Sequence, residues 1–126
     1  MTELYYCKVS KINYAAGTAS LTIEDQENQV ITGVPFLASE YNMPAIGDMV
    51  AAIFNKSGGK IERGVILGKI FSRSNKPGKS GAGVFYKALP DGAYVYYDPA
   101  ARTLDITVDK IIARKIVAKE ITTDQS

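Results

Sequence analysis

The chain has 126 residues, 46% hydrophobic and 22% charged, with a formal net charge of +2. That length suits one core plus an appendage, and so small a charge does not point to nucleic acid or a membrane surface. With no His and a single Cys, the sequence excludes Ser-His-Asp and Cys-His catalysis, histidine metal sites and an intrachain disulfide.

Residues 4–37 predict three strands. Tyr5, Cys7 and Val9 alternate with Tyr6, Lys8 and Ser10, and after a Gly-bearing turn Ala19, Leu21 and Ile23 alternate with Ser20, Thr22 and Glu24. In this pattern Cys7 is a small buried hydrophobe. A polar turn over Asp25–Asn28 leads to a third run, Gln29–Leu37, ending near Pro35, which cannot donate to a ladder. Residues 38–46 break the pattern as a helical turn or a crossing loop. Met49–Phe54 and Gly64–Phe71 then predict two strands joined by a turn at Ser57–Lys60. Both are apolar on both faces, which suits strands of a closed barrel that also pack against something outside it. Five strands with a long break after the third predict an all-β domain over residues 1–72, an OB-fold-like five-stranded Greek-key barrel. On pattern alone another small barrel or sandwich fits nearly as well.

Residues 73–83 belong to a polar stretch, SRSNKPGKSGAG, and predict a flexible linker loop. Residues 84–126 read as extended chain: Val84–Ala88, a turn over Leu89–Gly92, the tyrosine-rich run Ala93–Tyr97, a turn over Asp98–Arg102 and Thr103–Val108. From Ile106 to Gln125 the chain falls into four five-residue blocks, ITVDK, IIARK, IVAKE and ITTDQ. Each opens with Ile, and the third position is small or β-branched. Ile106, Val108, Ile111, Ala113, Ile116, Ala118 and Ile121 are therefore the inward candidates, spaced two, three, two, three. A step of two is the strand period, and a step of three leaves room for a polar corner. On a helix, residues five apart drift by about 140° per block, which would scatter the four Ile around the cylinder. A competing reading makes Lys110–Ile121 an amphipathic helix with Ile112, Ala113, Ile116, Val117 and Ile121 on one face. A short repeat that cannot bury its own apolar column needs neighbours. Twenty residues make only one thin ribbon, so the neighbours must be other copies of the chain. Three copies wound together put the Ile column inward and the charged corners outward, an intertwined triple-stranded β-helix.

Few residues could carry chemistry. Glu24, Asp25, Glu27, Glu40 and Glu62 are available for paired-carboxylate hydrolysis, but the first three fall at a hairpin turn, where acids are usually solvated. Gly58-Gly59-Lys60 lacks the spacing of a phosphate loop and reads as a turn. The expectation is a non-enzyme without cofactor or metal. The N-terminal run MTELYYCKVSK has no basic segment leading into an apolar one, so no secretion by a signal peptide of its own is expected.

The segments GDMVAAIF, RGVILGKIFSRSNKP and DGAYVYYDPAARTLDIT, followed by the β-branched repeat, resemble the baseplate assembly protein V family. Its members are the central spikes of contractile phage tails and related injection particles. The resemblance runs from about Gly47 onward and implies an OB-fold domain at a hub, with three chains twisted into a β-helical needle built from about residue 84 onward. Members often end in a His-x-His pair that binds iron at the apex, and some relatives carry a lysozyme domain. This chain has neither, so neither property is carried over. The implied function is a homotrimeric spike in the baseplate of a virion or phage-like particle, docked on a hub protein, plugging the tail tube and piercing the target cell envelope mechanically. After Ile121 the inward position is Thr123, so Thr123, Asp124 and Gln125 read as a polar tip, either blunt or a platform for a separate capping protein. The alternative from another class is an OB-fold domain binding single-stranded nucleic acid, with its eight tyrosines as stacking platforms.

Overall fold

The structure, a computed structural model, describes residues 1–23 and 29–123. It divides into two compact units, Met1–Lys76 and Pro77–Ser126. The division falls inside the stretch that reads as a linker.

The first unit is one antiparallel sheet of β1 (Thr2–Asn13), β2 (Thr18–Ile23), β3 (Gln29–Pro35), β4 (Met49–Ser57) and β5 (Lys60–Lys69), in the order β3-β2-β1-β4-β5. Alternation selects the inner face: Tyr5, Cys7, Val9, Leu21, Ile23, Val50, Ala52 and Phe54 are all buried. The sheet curls into a half-barrel. Register shifts between Val9 and Lys11, between Ala51 and Ala52 and between Asn55 and Lys56 add local twist. The curl brings the end of β3 to β5, where Phe36 and Ile66 form a parallel bridge and Leu37 N–H donates to the Ile66 carbonyl at 3.4 Å.

The Ser57–Lys60 turn is a two-residue hairpin whose centre, Gly58 and Gly59, has φ of 59° and 81°. Positive φ at both positions matches the right-handed twist of the flanking strands, which is why two glycines stand there. The fifth strand therefore starts at Lys60, earlier than the apolar pattern predicts, and ends at Lys69, leaving Phe71 outside and exposed. The break at residues 38–46 is an irregular crossing loop without a helix. Tyr41 donates to the Tyr14 carbonyl, Gly47 N–H donates to the Val9 carbonyl and Val9 N–H donates to the Asp48 carbonyl, so the loop is pinned to β1 and the β1–β2 turn.

The second unit holds a three-stranded antiparallel sheet, β6 (Phe85–Ala88), β7 (Tyr94–Asp98) and β8 (Thr103–Thr107), in chain order. Beyond β8, residues 109–123 carry neither helix nor strand pairing within the chain. The amphipathic-helix reading of Lys110–Ile121 is thus not what the chain adopts. The linker is not uniformly loose. Ser72 and Asn75 exchange backbone hydrogen bonds, and the Asn75 amide donates to the Ile70 carbonyl at 2.9 Å. Further on, Gly78 lies against the Tyr86 ring, and the Lys79 ammonium sits 5.3 Å from the centre of the Tyr96 ring.

Two predictions follow from this packing. A Cβ on Gly64 would stand 2.2 Å from Phe54 Cδ1 and 2.8 Å from the Ile53 carbonyl oxygen. Gly64→Ala is expected to lower stability by about 1–3 kcal/mol in urea unfolding, and Phe54→Leu in the same chain to recover only part of the clash, because the carbonyl stays. Within residues 72–83, trypsin is expected to cut first after Arg73. Lys76 is followed by Pro77, which blocks the enzyme, and Lys79 is held over Tyr96. A first fragment ending at Lys79, seen by mass spectrometry, would contradict this order.

Candidate functional site

The two faces of the β6–β7–β8 sheet differ in what covers them. Residues paired across antiparallel strands point to the same side, so the register defines each face. Tyr86, Tyr96 and Asp105 form one row, and Ala88, Tyr94 and Thr107 form the next, on one face. Here Tyr86 meets Tyr94 at 6.0 Å and Tyr96 at 6.2 Å between ring centres, the latter edge to face. The Tyr94 hydroxyl donates to Asp105 Oδ2 and the Thr107 hydroxyl to Asp105 Oδ1. Gly78 and Lys79 of the linker lie over this face.

The other face carries Phe85, Tyr97 and Leu104 in one row and Lys87, Val95 and Ile106 in the next. Phe85 is 57% exposed and Leu104 58%. Apart from Lys87 at the β6 margin, the face is apolar. Leu104 and Ile106 share this side of β8, and Val108 follows at the same spacing of two just past the strand's end.

All seven candidates for the inter-chain interface, Ile106, Val108, Ile111, Ala113, Ile116, Ala118 and Ile121, are exposed in the single chain. The sheet brings Ile106 beside Val95; the other six stand at its end or beyond it, with no intrachain neighbour across a ladder. Of the tip residues, Thr123 is exposed, while Asp124 and Gln125 lie outside the described residues, as do Glu24, Asp25 and Glu27. Sequence reasoning that begins the repeat at Ile106 leaves out Phe85, Val95, Tyr97 and Leu104. A signal for Leu104 was available, because Leu104, Ile106 and Val108 alternate strictly with Thr103, Asp105 and Thr107.

Among the described residues, every buried side chain lies between Tyr5 and Ile66, and none in 77–123 is buried. Three strands are about the least that stand independently in water, and they do so by covering a hydrophobic face; here one apolar face is open and no residue is buried.

An acid, a phenol and an amine meet on the first unit, where β1 pairs with β4. The Tyr5 hydroxyl donates to Glu3 Oε2, Lys56 Nζ donates to the Tyr5 oxygen at 2.9 Å, and Lys56 and Glu3 stand 3.5 Å apart. The hydrogen bond from Tyr5, with the nearby Lys56 charge, holds the Glu3 carboxyl below its usual range; the Tyr5 bond, with the Glu3 charge, holds the Lys56 ammonium above its own. These groups satisfy one another, which is the arrangement of a structural brace. Cys7 is buried, and desolvation pushes its thiol up to about 11, so it is inert as a nucleophile. Among the described residues no group of three His, Cys, Asp or Glu could hold a metal ion. The tyrosines invoked for base stacking divide between the units, and Tyr86, Tyr94 and Tyr96 present their rings to one another and to Lys79. No protein-family model matches the chain, and no curated protein does.

Proposed function

We propose that this chain is a non-enzymatic structural protein, the central spike of a contractile-tail baseplate, acting as a homotrimer. The observation that carries the reading is the contrast between the units: the first has a buried core, whereas residues 77–123 keep a regular Ile column with no buried side chain. A repeat of this kind acquires its core from identical neighbours. For the first unit, an OB-like barrel is supported by the strand order and by the parallel Phe36–Ile66 bridge that draws β3 toward β5. The resemblance of GDMVAAIF, RGVILGKIFSRSNKP and DGAYVYYDPAARTLDIT to the baseplate assembly protein V family supplies the biological setting.

The mechanism is mechanical. Sheath contraction drives a tube forward, the barrel closes the tube end and docks on a hub protein, and three pentad segments wind into a triple-stranded β-helix that concentrates force on a small area of envelope. A separate capping protein completes the C-terminal end, and the particle assembles in the bacterial cytoplasm. The nucleic-acid reading has weaker support, because the Tyr86 ring packs against Tyr94 and, edge to face, against Tyr96.

Light scattering is expected to give the mass of three chains. Each Ile buried in the column contributes about 1.5–3 kcal/mol, so Ile111→Asp combined with Ile116→Asp should yield monomers whose first sheet stays folded by circular dichroism. A monomeric wild-type protein overturns the reading. Titration with a labelled single-stranded oligonucleotide at low salt should show no saturable binding; saturation would favour the alternative.

A further inference from the structure

We propose that the open face of the β6–β7–β8 sheet is itself a subunit interface, occupied by the same face of a second and a third copy of this chain. This rests on the spike reading and extends it to residues outside the pentads: Phe85, Val95, Tyr97 and Leu104.

Ile106 belongs to two patterns at once. It is the first residue of the pentad column, and it sits on the open face beside Val95 with Leu104 two positions before it. Any assembly that turns Ile106 toward an axis turns Leu104 toward it as well, because both lie in β8 and strand alternation fixes them on one side. Leu104 in turn stands in one row with Tyr97 and Phe85. A common axis for the pentads therefore gathers the open faces of the sheets around the same line.

The composition fits that placement. The centre of the face is apolar and aromatic, and its charge, Lys87, stands at the β6 margin, the apolar-centre and polar-rim pattern of a protein interface. The opposite face cannot serve, since its tyrosines are hydrogen-bonded or stacked and the linker lies over them. An identical partner is favoured over a foreign one because the shared residue ties the face to a repeat that requires copies. A three-fold closed arrangement then buries one patch per chain without leaving a free edge for further growth.

The test is disulfide trapping on the full chain. Leu104 is exposed in the single chain, so Leu104→Cys is compatible with folding, and Cys7 is buried and does not compete. Under mild oxidation Leu104→Cys should give covalently linked pairs on a non-reducing gel, while Thr103→Cys, whose side chain points to the other face, should not. As a second variant, Leu104→Asp should raise the concentration at which the trimer dissociates by at least tenfold. The mass decides the spike reading and the crosslink decides the surface. A three-chain mass with no trapping at Leu104 and unchanged dissociation of Leu104→Asp overturns this inference and leaves the spike reading intact. A monomeric mass overturns both.

Discussion

Apolar side chains on a strand need cover, and the two units meet that need differently. The first sheet has enough strands, and enough irregularity in register, to curl over its own inner face. The shift at Ala51–Ala52 and the one at Val9–Lys11 tighten the curl, and the Phe36–Ile66 bridge draws the two edges together over Phe54 and Leu21. The second sheet has only three short strands. It covers one face with its own linker and leaves the other bare. The same physical requirement is thus met within the chain for the described residues of the first unit and is left to other copies, on the proposed reading, for residues 77–123.

What could be read from the sequence follows from how local each signal is. The inner face of β1 and β2 was legible because Tyr5, Cys7, Val9, Leu21 and Ile23 alternate without interruption. Glycine marked the Ser57–Lys60 turn for a reason internal to that turn. The start of β5 was not legible, because Lys60, Glu62 and Arg63 carry no apolar pattern; the ladder to β4 places them in a strand. The curl was only partly legible. A five-strand pattern suggests closure, but the bulges that bend the sheet leave no residue-type signature at Ser10 or Ala51.

The site was legible in its periodic part and not in its paired part. The pentads announce themselves by repetition, whereas the face they continue is assembled by register across three strands. Phe85 and Leu104 are 19 positions apart in sequence and meet one row only because two turns have particular lengths. Both turns are set by backbone of left-handed φ at Asp91 and Gly92 in one and Arg102 in the other. Asp-Gly is a familiar turn signal, but an Arg at φ of 52° is not, so the sequence marks the second turn over Asp98–Arg102 without marking the left-handed residue that sets its register.

The pentads contain a further regularity that bears on conformation apart from burial. The first position is always Ile, and the second, Thr107, Ile112, Val117 and Thr122, is β-branched in every block. If second positions were selected for a core they would be aliphatic throughout, yet two of the four are Thr. In the single chain Ile112 is 86% exposed and Val117 84%, more than Ile111 and Ile116 beside them. What the four share is restricted χ1 rotation, which disfavours helix and suits extended backbone. Each block therefore begins with two residues that disfavour helix and suit extended backbone. This agrees with the absence of helix over residues 109–123, although the segment is rich in Ala, Lys and Arg. On the proposed reading, copies associating through the Ile column meet backbone already biased toward extended conformations, so less ordering entropy opposes assembly.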